Sequence, residues 1–297
     1  MAMDRQWGKE AMTTVPRPRA RQRSRPVRRI ALYLAILVVA VLVLFPVYWM
    51  LVTSIRPTQE TISYPPRLFP HALRWSAYRD LFHTVPIATW LRNTLIVSSG
   101  VTVIVLVLSI CGAYALSDFR WRGRAAFGFA LLTAQMLPEA LLVTPIFVIF
   151  RRLGLTNTLH GLILTDAAFI IPLGVWILKG FLDTIPREIR EAALVDGCTP
   201  LSILWHIIIP LSLPALVAVS VIAFFDGWNE YLFASTFITT SGLRPATVGI
   251  ASFIGELATP VELVFAATAI FTIPPIVFYF FMQRYLISGL TGGAVKG

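Results

Sequence analysis

The stretch Glu191–Leu211, EAALVDGCTPLSILWHIIIPL, joins a polar helical pattern directly to an apolar run. Its first part consists of good helix formers and ends near Gly197, which permits a sharp turn. Thr199 followed by Pro200 has the cap-then-proline order that starts a second helix. The isoleucines after it lead into an uncharged segment long enough to cross a membrane. The stretch therefore predicts a helix, a turn and a second helix that feeds a transmembrane span.

The composition of the whole chain is that of a membrane protein. It is 57% hydrophobic and only 13% charged, whereas soluble domains contain about 25% charged residues. The apolar residues form six long runs, each able to cross ~30 Å of hydrocarbon as a helix. We predict an all-α membrane protein, a six-helix transmembrane bundle, with spans at about 30–52, 95–116, 125–150, 159–178, 207–233 and 263–282.

Basic residues are unevenly distributed along the chain. Nine of the 25 lie within the first 29 positions, and with six spans seventeen fall on one side of the membrane. The positive-inside bias then predicts that both termini are cytoplasmic. The expected organisation is a disordered basic tail at 1–29, a membrane domain at 30–286 that carries the cytoplasmic segment 183–206, and a cytoplasmic C-terminal tail at 287–297.

No pattern in the sequence indicates catalysis. The chain has no Walker phosphate-binding motif, no His/Cys set at metal-ligand spacing and only two cysteines, Cys111 and Cys198. The Arg-rich tail precedes a membrane span, so we interpret it as an orientation signal that touches lipid headgroups, not as a nucleic-acid arm. A DNA-binding helix-turn-helix is also excluded, because its recognition helix would be LSILWHIII, which has no basic face. We expect no metal, no bound cofactor and no nucleic-acid partner.

Two acids fall inside predicted spans, where ionised side chains are costly and usually face a bundle interior or a water-filled cavity. Glu139 lies ~21 Å from the cytoplasmic end of the third span and Asp166 lies ~10 Å from the outer end of the fourth, so both are expected in the outer half of the membrane. Two interpretations remain open: the pair lines a pathway for a polar solute, or it forms a structural hydrogen bond between neighbouring helices.

A polar cluster, DGWNEYLF, follows the fifth apolar run near the outer membrane face. Trp228 and Tyr231 fit an interfacial aromatic belt. The remaining polar residues of the cluster are candidates for a solute gate or a partner contact: Asp226, Asn229 and Glu230.

The spacing of the opening stretch resembles the loop of ABC-importer permeases. That loop has EAA, three residues, glycine, nine residues, isoleucine, any residue, leucine and proline. Here the pattern runs from Glu191 through Gly197 to Ile207, Ile209 and Pro210, with Ile209 in place of leucine as the single departure. Collinear softer matches are RNTLIVSSGVTV, RRLGLTNTLHGLIL, DGWNEYLFA and QRYLISGLTGGAVKG. They narrow the resemblance to sugar-importer permeases of the maltose-permease (MalG-like) type.

The resemblance implies a permease subunit in a bacterial cytoplasmic (inner) membrane, which is not itself an enzyme. Its partners would be a second homologous permease, an ATPase dimer that binds ATP and Mg, and an extracytoplasmic solute-binding protein. The outer segment 234–260 could project toward that protein. The residues that would contact the ATPase are Glu188, Glu191, Ala192, Ala193, Asp196, Gly197 and Pro210 in the loop, and Gly289, Gly292, Gly293 and Lys296 in the C-terminal tail.

The solute implied by the resemblance is a di- or oligosaccharide. Alternatives are another polar solute, such as a glycerol phosphate or a polyol. A different class of function, a proton-coupled secondary transporter that uses Asp166 and Glu139, predicts inverted repeats and broken helices around a midplane site. The sequence shows neither.

Overall fold

The computed structural model describes residues 25–61, 63–65, 67–254 and 261–294, and no strand occurs in those ranges. Among them, five helices are long and apolar enough to cross a membrane, and a bent helix pair makes a sixth candidate. The prediction of an all-α membrane protein is therefore confirmed, with five or six candidate spans. The helices are α1 (Arg25–Ser54), α2 (Thr58–Thr61), α3 (Ser76–Thr84), α4 (Ile87–Asp118), α5 (Arg124–Ala134), α6 (Glu139–Arg152), α7 (Leu159–Leu182), α8 (Arg187–Val195), α9 (Pro200–Ile203), α10 (Ile209–Leu211), α11 (Leu213–Asn229), α12 (Leu232–Phe237), α13 (Ala246–Ile254) and α14 (Val261–Ala294).

The chain divides into two units, Met1–Tyr48 and Trp49–Gly297. Most of the first unit that the structure describes is α1, an apolar helix of 30 residues with Pro46 inside it. At ~45 Å this helix is longer than the hydrocarbon core. It begins at Arg25, so the last residues of the predicted tail 1–29 are helical, while residues 1–24 lie outside the described ranges.

The second unit is built on close packing of α4 against α7 and α11. Small residues allow this approach: a Cβ added to Gly174 of α7 would lie 2.4 Å from Ser109 Oγ of α4. At Gly227 of α11, an added Cβ would lie 3.1 Å from the Cα of Ser98. Helices in lipid associate largely through such packing, because lipid is as apolar as the side chains it replaces. Aromatic stacking then joins α14 to α11, with 4.0 Å between the ring centroids of Phe224 and Phe278.

The predicted third span, 125–150, is not one straight helix. It consists of α5 and α6, whose axes differ by 102°. Pro138 lies at the bend, and a proline disfavours helical geometry in the residue before it. Gln135 Nε2 donates to the Phe169 carbonyl of α7 at 2.8 Å and so ties the bend to that helix. Because Glu139 is the first residue of α6, its depth along a straight helix is not a valid estimate.

Two other predicted boundaries also differ from the structure. The fifth run, 207–233, is interrupted at Ser212 and again at Glu230, so that α11 covers only its central part. In contrast, α14 continues without a break to Ala294 and includes most of the predicted tail 287–297. Pro274 and Pro275 lie inside this helix without ending it.

Candidate functional site

The helix-turn-helix predicted from the opening stretch is present as α8 and α9. Gly197 follows α8 with φ +82°, a left-handed conformation that glycine adopts at little cost. Its N–H bonds to the Leu194 carbonyl at 3.1 Å, and Cys198 N–H bonds to the Ala193 carbonyl at 3.0 Å. These two hydrogen bonds form a Schellman motif, which satisfies the last carbonyls of α8 and fixes the direction of the turn.

The second helix starts as predicted and then changes from an α-helix to a π-helix. Thr199 is the N-cap, its Oγ1 accepts from Ser202 N–H at 3.3 Å, and Pro200 occupies the first turn. After α9 the backbone forms a π-helix over Leu204–Ile208. Pro210 contributes no N–H two residues beyond it, and π-turns often occur at functional sites. The connection from α9 to α11 is therefore irregular over most of its length.

The predicted coupling residues occupy different faces of α8. Glu188, Glu191 and Ala192 are exposed, as are Asp196 and Gly197 just beyond the helix. Ala193 is 6% exposed and packs in the core. Glu188 and Glu191 are one turn apart, so their carboxylates lie on one open surface of the helix. The structure thus brings together a polar exposed face and an apolar buried face on a single short helix.

Arg190 anchors this helix, and the sequence analysis did not identify it. It is 5% exposed. One guanidinium nitrogen donates to Asp118 Oδ1, at the end of α4, at 2.6 Å. The other donates to the Leu182 carbonyl, at the end of α7, at 2.8 Å. An arginine at the residue before the EAA tripeptide, with acids at the ends of two spans, was the signal available in the sequence.

A second polar contact joins the same helix ends. Asp183 Oδ1 accepts from Ser117 Oγ of α4 at 2.6 Å, and Oδ2 pairs with Lys179 Nζ at 2.5 Å. Burial alone raises the pKa of Asp183, but the hydrogen bonds from Lys179 and Ser117 outweigh it and lower the pKa below its ordinary value. Tyr114 Oη also donates to the Pro200 carbonyl at 3.2 Å, which connects α4 to α9.

The candidate pathway acids lie within electrostatic range of Asp166 although they are distant in the sequence. Asp166 of α7 is 3% exposed. Neither of its carboxylate oxygens has a hydrogen-bond partner among the described residues. The charged groups that act on it are three further carboxylates, those of Glu230, Asp226 and Glu139. The interpretation as a Glu139–Asp166 hydrogen-bonded pair receives no support from these contacts, because no hydrogen bond joins them in the described structure.

Two members of the polar cluster have local structural roles. Both oxygens of Glu230 accept backbone N–H groups at the start of α12, from Phe233 at 2.6 Å and from Ala234 at 2.8 Å. Asn229 Nδ2 donates to the Phe225 carbonyl at 2.8 Å. Asp226 is exposed. Of the five candidate residues, Glu230 is thus a helix cap as well as a member of the acidic group.

The position of Trp228 in the sequence predicted a place in an interfacial aromatic belt, and the structure does not bear this out. It is 1% exposed and stacks on Phe271 of α14 with 5.2 Å between ring centroids. Tyr231 is exposed. The close α11–α14 contact, which the sequence does not reveal, removes Trp228 from the surface.

The described part of the outer segment 234–260 folds back onto the helices. Asn93 of α4 is fully buried, and its Nδ2 donates to the carbonyls of Gly242 and Arg244 at 2.9 and 3.1 Å. Asn157 Oδ1 accepts from the N–H groups of Thr239 and Thr240 at 3.1 and 3.0 Å. These two asparagines fix the segment that follows α12.

The remaining predicted contacts lie at the C-terminus. Gly289, Gly292 and Gly293 are in the last turns of α14, and Lys296 lies outside the described residues. Among the described residues, no group of three or more His, Cys, Asp or Glu side chains is suited to a metal ion.

Comparison with known proteins agrees with this arrangement. Residues 11–292 match the family described as "Binding-protein-dependent transport system inner membrane component". The chain is 36% identical over 278 residues to the inner membrane ABC transporter permease protein YcjP of Escherichia coli K12, covering 92% of this chain and 98% of YcjP. It is 33% identical over 276 residues to the trehalose/maltose transport system permease protein MalG of Thermococcus litoralis, covering 93% and 99%.

A solved structure is similar over nearly the same length. One chain of a bacterial ABC transporter involved in the import of the acidic polysaccharide alginate superposes with a TM-score of 0.78 at 26% identity. The match covers 89% of this chain and 98% of that chain. Sequence and fold therefore agree over most of the molecule. The chain belongs to the family of binding-protein-dependent transport system inner membrane components, the non-catalytic permease subunits of ABC transporters.

Proposed function

We propose that this chain forms half of the translocation pathway of an ATP-driven importer for a di- or oligosaccharide. The observation that carries the proposal is α8, with exposed Glu188 and Glu191 on one face and buried Arg190 tied to α4 and α7 on the other. A force applied to the exposed face would pass through the ion pair to the end of α4 and through the hydrogen bond to the end of α7. Names of relatives, such as the trehalose/maltose permease, support a saccharide as the solute.

The proposed assembly has a second homologous permease, two ATPase subunits and an extracytoplasmic solute-binding protein. ATP and Mg bind only to the ATPases. The family description, which names dependence on a binding protein, supports the last partner. Both termini and the segment 183–206 face the cytoplasm in this assembly, following the bias of basic residues. In this layout residues 1–29 form a basic tail, 30–286 the permease domain and 287–297 a tail that contacts the ATPases.

The acidic group around Asp166 is our candidate for the lining of the pathway. The charged groups that act on Asp166 are all carboxylates. Such a lining can accept hydrogen bonds from sugar hydroxyls, but it offers no positive charge to an anionic solute. The hydroxyl groups of a saccharide or a polyol suit such a lining.

The docking role is tested by Glu191→Lys in the assembled complex, with uptake and solute-stimulated ATPase activity measured together. We expect the variant to lose both, because the reversed charge faces the ATPase cleft. Glu60→Lys is the matched control, since it reverses an acid of α2 at the cost of one exposed hydrogen bond, to His71 N–H. Unchanged assembly and uptake in Glu191→Lys would show that α8 does not dock as proposed.

The secondary-transporter alternative is tested by the energy source. Uptake into vesicles is expected to require ATP and to survive an uncoupler that collapses the proton gradient. Uptake that continues without ATP and stops with the uncoupler would contradict the proposed function.

A further inference from the structure

A groove between α5 and α7 lies apart from the coupling helix and from the acidic group. Its volume is about 310 Å³. The walls are apolar and include Phe129, Leu132 and Trp176, while Arg124 and Lys179 lie at one end. The groove therefore combines a long apolar floor with two cations, an arrangement that neither the docking role nor the pathway uses.

The basic end of the groove lies where two spans terminate. Asp118 is the last residue of α4, and Lys179 is in the last turn of α7. Trp121 and Trp176 flank this region and are 42% and 46% exposed. Tryptophan at the ends of spans is typical of the membrane interface, where headgroups meet hydrocarbon. The cations are thus at headgroup level, and the apolar floor runs along the lipid-exposed side of the helices.

The charge at this end is strongly positive. Arg120 and Arg122 lie in the turn between α4 and α5, and Arg124 is the first residue of α5. None of the three forms an ion pair within the described ranges. Lys179 pairs with Asp183, the acid within electrostatic range of Arg124. That carboxylate is already hydrogen-bonded by Lys179 and Ser117. Within the described residues, Arg124 donates one long hydrogen bond, 3.5 Å, to the Phe119 carbonyl, so its guanidinium remains available to another anion.

We infer that this groove binds one anionic phospholipid, with the phosphate at Arg124 and Lys179 and an acyl chain against Phe129, Leu132 and Trp176. A lipid satisfies both parts of the groove, whereas a free phosphate would leave the apolar floor uncovered. The orientation in the proposed function puts the site in the cytoplasmic leaflet, where anionic lipids attract basic residues. The geometry of the groove itself does not depend on that orientation.

The test is native mass spectrometry of the purified importer complex, after exchange into detergent with phosphatidylglycerol or phosphatidylcholine. The wild type is expected to retain phosphatidylglycerol preferentially. Arg124→Gln should weaken retention about fivefold, the effect of one cation near a charged membrane surface. Leu132→Trp should also reduce it, because the larger ring fills the groove without changing any charge. Arg152→Gln, at the far end of α6, is the control and should retain lipid as the wild type does.

Three outcomes would overturn the inference. Equal retention of the two lipids would show that the groove does not select an anionic headgroup. Retention that is unaffected by both Arg124→Gln and Leu132→Trp would show that the lipid binds elsewhere. Displacement of the lipid by inorganic phosphate alone would show an anion site without an acyl-chain contribution. Because retention is measured without transport, the result is independent of whether the complex imports a saccharide.

Discussion

Arg190 is the residue through which the exposed helix α8 is joined to the membrane-spanning helices. Its side chain is 6% exposed and that of Asp118 is 25% exposed, so the pair is partly shielded from water. Removing one member of a buried ion pair leaves the other unpaired, which is more damaging than loss of the attraction alone. The exposed Glu191 is thus open to a partner, whereas the buried Arg190 beside it holds α8 against the membrane-spanning helices.

We predict that Arg190→Met lowers the free energy of unfolding of the complex by about 3 kcal/mol. This is the low end of the cost of breaking a buried ion pair, because the Asp118 side chain stays partly exposed to water. ATP-coupled uptake should fall as well, since α8 is no longer tied to α4. Thermal and denaturant unfolding measure the first effect. Arg187→Met, on the exposed side of the same helix, is the control and should change stability little. Adding Asp118→Asn should recover part of the loss, and a purely additive double variant would argue against the pair.

Asp166 is buried without a hydrogen-bond partner in the described structure, unlike Glu230, whose oxygens both cap α12. We predict that Asp166→Asn reduces uptake about tenfold, as expected from losing one hydrogen bond to the solute of ~1.5 kcal/mol. Its effect on thermal stability should be small. Glu230→Ala should instead cost about 1 kcal/mol of stability through the lost cap. Disappearance of the Asp166→Asn protein from the membrane would indicate a structural role for Asp166.

The α8–α9 element depends on a turn that only a few residues can form. Gly197 has φ +82° and no neighbouring atom near an added Cβ. Gly154, after α6, has φ +69° and equally open surroundings. The two glycines therefore share the same backbone requirement but belong to different parts of the molecule.

We predict that Gly197→Ala and Gly154→Ala each destabilise the protein by about 1–2 kcal/mol, the cost of a left-handed L-residue. Only Gly197→Ala should also lower the uptake obtained per ATP hydrolysed, because it alters the direction of the coupling helix. The ratio of uptake to ATPase activity measures this difference. Equal ratios in the two variants would mean that the turn contributes stability and nothing more.

The membrane domain as a whole depends on how closely α4, α7 and α11 approach one another. At Gly174, an added Cβ would lie 3.0 Å from Ser109 Cβ and 3.2 Å from Val219 Cγ1, as well as against Ser109 Oγ. At Gly180, six residues further along α7, an added Cβ meets no atom within 4 Å. One helix thus offers a matched pair of sites, one at the packing centre and one away from it.

We predict that Gly174→Ala costs about 1–3 kcal/mol, the usual effect of overpacking a dense interior. Gly180→Ala should be neutral or should stabilise by about 0.5–1 kcal/mol, because alanine is the better helix former. The amount of folded complex after heating distinguishes them. Ser109→Gly should restore stability to Gly174→Ala by making room, and failure to do so would contradict the packing explanation.

Local sequence information was sufficient for the features with local causes. Long uncharged runs predict membrane helices because unpaired backbone groups are not tolerated in lipid. Gly197, Thr199 and Pro200 predict a turn and a restarted helix because their conformational preferences act within a few residues. The spacing from Glu191 to Pro210 identified the family because it lies within one continuous stretch.

Contacts between residues that are far apart in the sequence could not be predicted from local sequence information. The Arg190–Asp118 pair links residues 72 positions apart, and the Asn93–Arg244 contact links residues 151 apart. The 102° bend before Glu139, the burial of Trp228 and the electrostatic contact of three acids with Asp166 likewise arise from helix packing. The order of residues along the chain established which helices form and where one of them turns. The close packing of those helices then decided which side chains meet and which acids lie near one another. Contact between side chains in a bundle depends on the rotation of each helix about its axis and on the spacing between helices, and no single helix specifies these.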